Sequence, residues 1–297
     1  LLVGMPVVFA IGLSSLATVL YEGLPIAVVF QRMAAGMNVF AFLTIPFFIF
    51  TGEIMMYGGI ADRIIRCSKA LVGHVRGGLG MTNVVACTMF GGVSGSPVAD
   101  VSAMGSALIP LMKKEGIDAD YAVNVTTYSS LVGAVMPTSH NMIIYSLAAG
   151  GVVSMNSLIM AGAVPAVILS IANLLTAYFV ARARNYPRGR FPGWHEVATS
   201  LAVALPGLFI MVIIVGGILS GVFTAAEAGA VAALYALLLT VFVYRSLSWE
   251  HFLKAAAKAS KTTGIVLLLV GISTMFGYLM SLYGVAELAV EFLSSIS

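Results

Sequence analysis

Two stretches of this sequence concentrate oxygen atoms beside backbone that cannot stay helical. The first is Gly91-Gly92-Val93-Ser94-Gly95-Ser96-Pro97-Val98-Ala99-Asp100; the second is Met136-Pro137-Thr138-Ser139-His140-Asn141. Glycine and proline break intrahelical hydrogen bonding and leave carbonyl oxygens free to turn toward a ligand. Ser94, Ser96, Thr138 and Ser139 add hydroxyl oxygens, which makes these four the side-chain candidates for holding a hard cation such as Na⁺. A helix that resumes after each break points its N–H groups at an anion. The chemistry to expect is joint binding of a cation and a carboxylate, with Gly92, Ser94, Gly95, Ser96, Asp100, Pro137, Thr138, Ser139, His140 and Asn141 as candidate residues. The plainer alternative is a pair of packing kinks with no ligand.

The remaining polar residues divide between structure and chemistry. A carboxylate at membrane depth is costly, so Asp100 has three open roles: capping a helix that starts near Val101, pairing with a buried cation, or organising the turn. His140 either bonds a substrate or steadies the broken backbone. Glu53 is read as hydrated near a membrane boundary. Glu227 follows Thr224-Ala225-Ala226, the spacing of a capping box. Cys67 and Cys87 are too few for a disulfide framework or metal cluster and read as buried thiols. The sequence has neither a Gly-x-x-x-x-Gly-Lys-Ser/Thr loop for ATP nor a zinc-protease helix, and Ser94-Gly95-Ser96 has no His–Asp partnership at a telling spacing. No enzymatic constellation and no cofactor is expected.

What must position these residues follows from composition. Hydrophobic residues are 60% of the 297 positions, charged residues 9%, and the mean hydropathy is +1.03. Soluble domains carry about 25% charge. So sparse a charge cannot cover a water-facing surface, and the fold class expected is an all-α polytopic membrane protein. The net charge of +3 decides little, because in a membrane protein placement matters more than the sum.

A crossing helix needs about 20 apolar residues. On that measure residues 1–20 and 40–57 are spans, with a short interfacial helix within 22–38. Residues 60–76 alternate Asp62, Arg63, Arg66, Lys69 and His74 with Ile60, Ile64, Ile65, Leu71 and Val72, the pattern of an amphipathic helix lying at an interface. Residues 77–90 give only about 21 Å of apolar helix, too short to cross. With a second short stretch at 101–112 they predict a re-entrant hairpin over 77–113. Residues 119–150 read as a helix broken at the second motif. Spans follow at 157–181, 197–219, 225–244 and 262–283, with a separate amphipathic stretch at 249–261.

Lys and Arg cluster at 63–76, 113–114, 182–190 and 245–261, and all four clusters fall on one face of this map, as cytoplasmic loops should. Loops 150–156 and 220–224, on the other face, contain none. Arg32 is the one discordant cation. An internal repeat runs in the same sense: Gly52-Glu53-Ile54-Met55-Met56-Tyr57-Gly58-Gly59-Ile60-Ala61-Asp62 resembles Gly277-Tyr278-Leu279-Met280-Ser281-Leu282-Tyr283-Gly284-Val285-Ala286-Glu287 at a gapless offset of 225 residues. The first copy enters the charged face and the second leaves it, so the repeats are inverted, an arrangement that with broken helices marks secondary transporters. The division expected is a first repeat at 1–190, a linking span at 191–224 and the opening of a second repeat at 225–297. On this reading the chain is a fragment lacking the second hairpin, trimmed at an N-terminus that opens inside an apolar run.

Gly91–Asp100, the run Met136-Pro137-Thr138-Ser139-His140-Asn141-Met142-Ile143-Ile144-Tyr145, and Phe223-Thr224-Ala225-Ala226-Glu227-Ala228-Gly229-Ala230 together resemble the large membrane subunit of tripartite ATP-independent periplasmic (TRAP) transporters, and the likeness covers the whole chain. The resemblance implies a Na⁺-driven importer of organic acids in a bacterial or archaeal cytoplasmic (inner) membrane, working by an elevator motion. Its implied partners are a small four-helix membrane subunit and a periplasmic substrate-binding protein, with the lipid bilayer as solvent and no nucleic acid. Its hairpin tips and helix breaks imply sodium and substrate contacts here at Ser94, Gly95, Ser96, Pro137, Thr138 and Ser139. C4-dicarboxylates, sialic acids and similar carboxylates are the substrates it suggests, without choosing among them. A dicarboxylate or citrate carrier lacking a binding protein, and a channel or intramembrane enzyme, are the alternatives.

Overall fold

The computed structural model describes residues 4–149 and 152–296. Helices follow in the order α1 (Val7–Tyr21), α2 (Ile26–Met37), α3 (Thr44–Tyr57, entered through the 3₁₀ turn Phe40–Leu43), α4 (Ile60–Val72), α5 (Gly78–Ser94), α6 (Pro97–Lys114), α7 (Ala119–Ser130), α8 (Val132–Val135), α9 (His140–Ala148), α10 (Met155–Ala183), α11 (Trp194–Leu219), α12 (Ala225–Leu238, extended by the π-helical turn Leu239–Val243), α13 (Trp249–Leu282) and α14 (Val285–Ile296). Among the described residues, five helices are long and apolar enough to cross a membrane: Phe40–Tyr57, Met155–Ala183, Trp194–Leu219, Ala225–Val243 and Trp249–Leu282.

Three expectations are corrected. The first span shrinks to α1, 15 residues between Pro6 and a turn in which Gly23 has φ +67°; at 1.5 Å per residue that is about 22 Å. Residues 1–3 lie outside the described residues. The amphipathic stretch at 249–261 is no separate element but the opening of α13, 34 residues without interruption. Its run of Ala, Lys and Leu favours helix, and no proline intervenes to stop it. The two hairpin helices are also longer than expected, 17 and 18 residues, because the glycines at 91 and 92 stay helical and the turn contracts to Gly95 and Ser96.

The chain divides into two compact units. One comprises residues 1–42 and 261–297. In it Val19, Val29, Met275 and Leu279 form a small core, and Gly271 lies against Met37. The discordant Arg32 finds a partner here, its guanidinium 4.0 Å from the centre of the Tyr278 ring, a cation–π contact that lessens the cost of a charge among apolar helices.

The other unit, residues 43–260, is built around α5, which is buried along most of its length and touches α3, α4, α6, α7, α8, α10 and α11. Lipid offers no hydrophobic drive for bringing helices together, so close packing has to do it, and small residues permit the approach. Gly80 shows how tight this is: a Cβ there would sit 2.8 Å from Cε1 of Tyr121. Phe48, Ile54, Ile60, Phe90, Met104 and Leu108 fill the surrounding core. α4 is amphipathic as expected, burying Ile60, Ile64, Cys67 and Ala70 and exposing Asp62, Arg66 and Lys69.

One end of this unit gathers the charge. Arg66 reaches Glu196 at 2.7 Å, Arg184 reaches Asp118 and Asp120 at 3.1 and 2.9 Å, and Gly77 donates its N–H to the Pro187 carbonyl at 2.9 Å. The Arg63 guanidinium lies over the Tyr244 ring at 3.8 Å. Leu79, in the first turn of α5, and Glu115, just past α6, line one pocket, so α5 and α6 form a hairpin whose ends meet. The internal repeat has a structural counterpart. α3 ends at Tyr57 and α4 begins at Ile60 across a left-handed Gly59; α13 ends at Leu282 and α14 begins at Val285 across a left-handed Gly284. Each of these positions recurs at the 225-residue offset read from the sequence.

Candidate functional site

The hairpin turn and the broken helix meet. Gly95 has φ +59°, and a Cβ there would collide with the Thr138 carbonyl and lie 2.7 Å from Cα of Ser139. Glycine is therefore required twice, for its left-handed backbone and for the contact. The break forms where Met136, preceding a proline, is pushed to an extended conformation at ψ 147°. The chain then turns through Pro137 and Thr138, with the Ser139 N–H on the Met136 carbonyl at 2.9 Å, and resumes as α9. Thr138 closes the junction, its hydroxyl donating to the Gly92 carbonyl at 2.9 Å.

Asp100 sits at the centre. It is fully buried, and Ser94 donates to its Oδ1 at 2.5 Å, while its Oδ2 has no hydrogen-bond partner among the described residues. Two glycines make room for that oxygen: a Cβ on either Gly91 or Gly133 would fall 2.6 Å from Oδ2. Asp100 does not cap its helix. Ser96 does, accepting from the Ala99 N–H at 3.4 Å with Pro97 at the first helical position. This follows from the contracted turn: once α6 starts at Pro97, Asp100 belongs to its first turn and faces α5 and α8. A buried carboxylate with one oxygen unpaired is costly and calls for a proton or a cation.

Ser94, Gly95, Asp100, Pro137, Thr138 and Ser139 are thus buried together, and Gly92 joins them through its carbonyl and its approach to Met211 on α11. Ser96 is half-buried, with its oxygen engaged in the cap. Asn141 stands apart: its side chain is exposed, and only its N–H takes part, donating to Ser139 Oγ at 3.2 Å. His140 opens α9, and its side chain lies outside the described residues. Among the described residues no cluster of His, Cys, Asp and Glu is fit to hold a transition metal. The oxygens gathered here, one carboxylate and several hydroxyls and carbonyls, suit a hard cation instead.

Three features go beyond the sequence reading. Gly52 of α3 abuts the turn, a Cβ there lying 3.6 Å from Cα of Ser94. Next to it Glu53 is buried and paired with Lys258 at 3.2 Å, so it is not the hydrated boundary residue expected. Between α5 and α7 runs a buried polar string: Asn83 donates to Thr126, the Cys87 thiol donates to Asn83 Oδ1 at 3.2 Å, and Ser130 donates to the Thr126 carbonyl at 2.8 Å. Polar residues four apart on both helices, 83 with 87 and 126 with 130, are the signal that could have revealed it. Cys67 and Cys87 are buried free thiols, and Thr224 with Glu227 forms the capping box, both as expected.

Crossing helices of this length and two interrupted helices locked together around a buried carboxylate define a multi-pass membrane protein with a polar site in its interior. The sequence profile of the family described as "Tripartite ATP-independent periplasmic transporter, DctM component" matches residues 1–297. The chain belongs to that family, whose members are transporter permeases and not enzymes. It is 38% identical over its full length to the uncharacterised protein YgiK of Salmonella typhimurium, covering 68% of that protein. It is 35% identical to the sialic acid TRAP transporter large permease protein SiaM of Vibrio cholerae, with 100% of this chain and 69% of the relative aligned. The C4-dicarboxylate TRAP transporter large permease protein DctM of Rhodobacter capsulatus is 34% identical, with 97% and 68% covered. Membership in this family sets aside the carrier of a different family, the channel and the intramembrane enzyme.

Proposed function

We propose that this chain forms the ion- and substrate-binding part of a Na⁺-coupled importer of organic acids in the cytoplasmic membrane, fed by a periplasmic binding protein and assembled with a small membrane subunit. The observation that carries this reading is the junction of Gly95 with Thr138 and Ser139 beside the half-paired Asp100. Asp100 Oδ2, Ser94 Oγ, Thr138 Oγ1 and Ser139 Oγ would hold Na⁺, with backbone carbonyls completing its shell. A bound cation supplies positive charge beside the N-terminal turn of α6, and both favour a carboxylate substrate. Sialic acid and C4-dicarboxylate relatives suggest the substrate class.

The hairpin of α5 and α6 enters and leaves by the charged end of its unit, which supports a re-entrant element opening from the cytoplasm. Recurrence of helix bounds and left-handed glycines at 225 residues supports inverted repeats, with the second starting at about 225. The division into two compact units supports an elevator, in which residues 43–260 carry the site. The test is uptake into liposomes by the complete transporter, using an organic acid identified by thermal shift of the cognate binding protein. Uptake should saturate, require the binding protein and both membrane subunits, and stop when the Na⁺ gradient is dissipated. Uptake indifferent to Na⁺ would overturn the coupling; uptake without the binding protein would overturn the partner assignment.

A further inference from the structure

The charged end of the larger unit contains an open pocket of about 350 Å³ between α4, the start of α5, the end of α6 and the segment leading into α11. Arg66, Lys69 and Arg190 line it, opposed by Glu115 and Glu196. Glu196 is committed to Arg66 through two hydrogen bonds, 3.1 Å from Nε and 2.7 Å from Nη2. Among the described residues Lys69 and Arg190 have no ion-pair or hydrogen-bond partner from their side chains, so the pocket keeps a positive excess. Its floor is apolar, formed by Leu79, Ala70 and Pro192.

An aromatic rim adjoins it. Phe191 packs edge-on against His74 at 5.2 Å and against Trp194 at 5.4 Å, and Trp194 is 79% exposed. An exposed Trp–Phe pair beside a basic pocket, at the foot of a long apolar helix, is the composition of a membrane interface, where aromatic rings sit at headgroup depth. Free inorganic phosphate would use the cations but neither the apolar floor nor the aromatic rim. An amphiphile uses all three.

We propose that this pocket binds the phosphate of an anionic phospholipid, with Lys69 and Arg190 as the phosphate contacts, Arg66 held in place by Glu196, and Trp194 packed along the upper acyl chain. The site lies at the charged end of the larger unit, among residues other than those of the helix breaks, and is independent of what the protein transports. The fixed fork of a guanidinium and the point charge of an ammonium suit a phosphate monoanion, and juxtamembrane cations gain from an anionic leaflet.

The experiment uses the full-length permease subunit with Trp194 kept as its only tryptophan, reconstituted in phosphatidylcholine vesicles. Phosphatidylglycerol with brominated acyl chains, added at a small mole fraction, should quench Trp194 fluorescence more strongly than the same fraction of brominated phosphatidylcholine. The Lys69→Gln/Arg190→Gln double variant should lose that excess, whereas Lys113→Gln/Lys114→Gln, which removes equal charge outside the pocket, should keep it. Millimolar inorganic phosphate should leave the excess intact; its reversal by phosphate would assign the pocket to the free anion and overturn the lipid. Equal quenching by both lipids, or an excess that survives in the Lys69/Arg190 variant, would overturn the site. Helical circular dichroism and gel-filtration profiles identify a misfolded variant, and Arg190→Gln alone, on a segment outside the helices, should still remove about half of the excess.

Discussion

Two regions of the larger unit treat their acidic residues oppositely. At the charged end Asp118 and Asp120 are exposed and Glu196 half-exposed, each ion-paired with Arg184 or Arg66 and its remaining carboxylate surface open to water. At the helix breaks Asp100 is fully buried, bonded through one oxygen only, and surrounded by glycines that leave the other oxygen room. Exposed pairs in high dielectric contribute little, and their loss is repaired by water. A buried carboxylate left half-paired has no such repair. The folded structure tolerates an arrangement that solvation disfavours, and it does so where two interrupted helices join, the place where function has most reason to require it.

Substitutions can break this contrast, and the largest effect belongs to Gly95. Gly95→Ala forces a side chain into a left-handed backbone, about 1–2 kcal/mol, and against the Thr138 carbonyl, with overpacking of about 1–3 kcal/mol more. Uptake in proteoliposomes should fall at least ~10-fold while membrane insertion persists; unchanged uptake would mean that the two breaks need not touch. Asp100 comes next. Asp100→Ala should leave the Ser94 hydroxyl without its acceptor and lower stability by about 1–3 kcal/mol, read as a fall in the thermal midpoint. Asp100→Asn should hold the fold better yet lose Na⁺-dependent stabilisation, so that added NaCl no longer raises the midpoint above the KCl control.

A smaller effect is expected in the polar string behind the site. Thr126→Val leaves the buried Asn83 amide unpaired and should cost about 1–3 kcal/mol, while adding Asn83→Leu should recover part of that loss, because the orphan amide is gone and the Cys87 thiol, losing Asn83 Oδ1, still has Ser130 Oγ 3.6 Å away. Additive losses would show that the pair is not coupled. The smallest effect belongs to the charged end: Arg184→Gln should leave the thermal midpoint and the uptake rate within error, and a large drop there would remove the contrast between the two regions.

The sequence showed the breaks because glycine, proline and hydroxyl residues are out of place in an apolar helix, and the boundaries of α3, α4, α10 and α12 followed from apolar runs and turn glycines. It did not show how far a helix tolerates glycine. Gly91 and Gly92 remain helical because α8 and α11 press against them, and this tertiary effect moved Asp100 from the tip into the first turn of α6 and passed the cap to Ser96. The continuity of α13 was hidden because polarity changes at about residue 261 while helix propensity does not. Asn141 read as part of the site by adjacency alone; as the second residue of α9 its side chain is exposed while Ser139, two positions before, is buried. The pairing of Glu53 with Lys258 joins residues 205 positions apart, a separation that no local pattern encodes.

The central claim is that the two breaks form one cation site, and the Na⁺ dependence of uptake in Ser94→Ala, Thr138→Ala and the double variant tests it most directly. Each single change removes one oxygen, with little change in volume at Ser94 and the loss of a methyl group besides at the buried Thr138. It should raise the half-saturating Na⁺ concentration by about 5- to 150-fold, the equivalent of about 1–3 kcal/mol for a lost ligand in a dry site, with protein yield and binding-protein docking unchanged. Because both oxygens serve one ion, the double variant should fall short of the product of the two single effects. Parental Na⁺ dependence in all three variants would contradict the shared site.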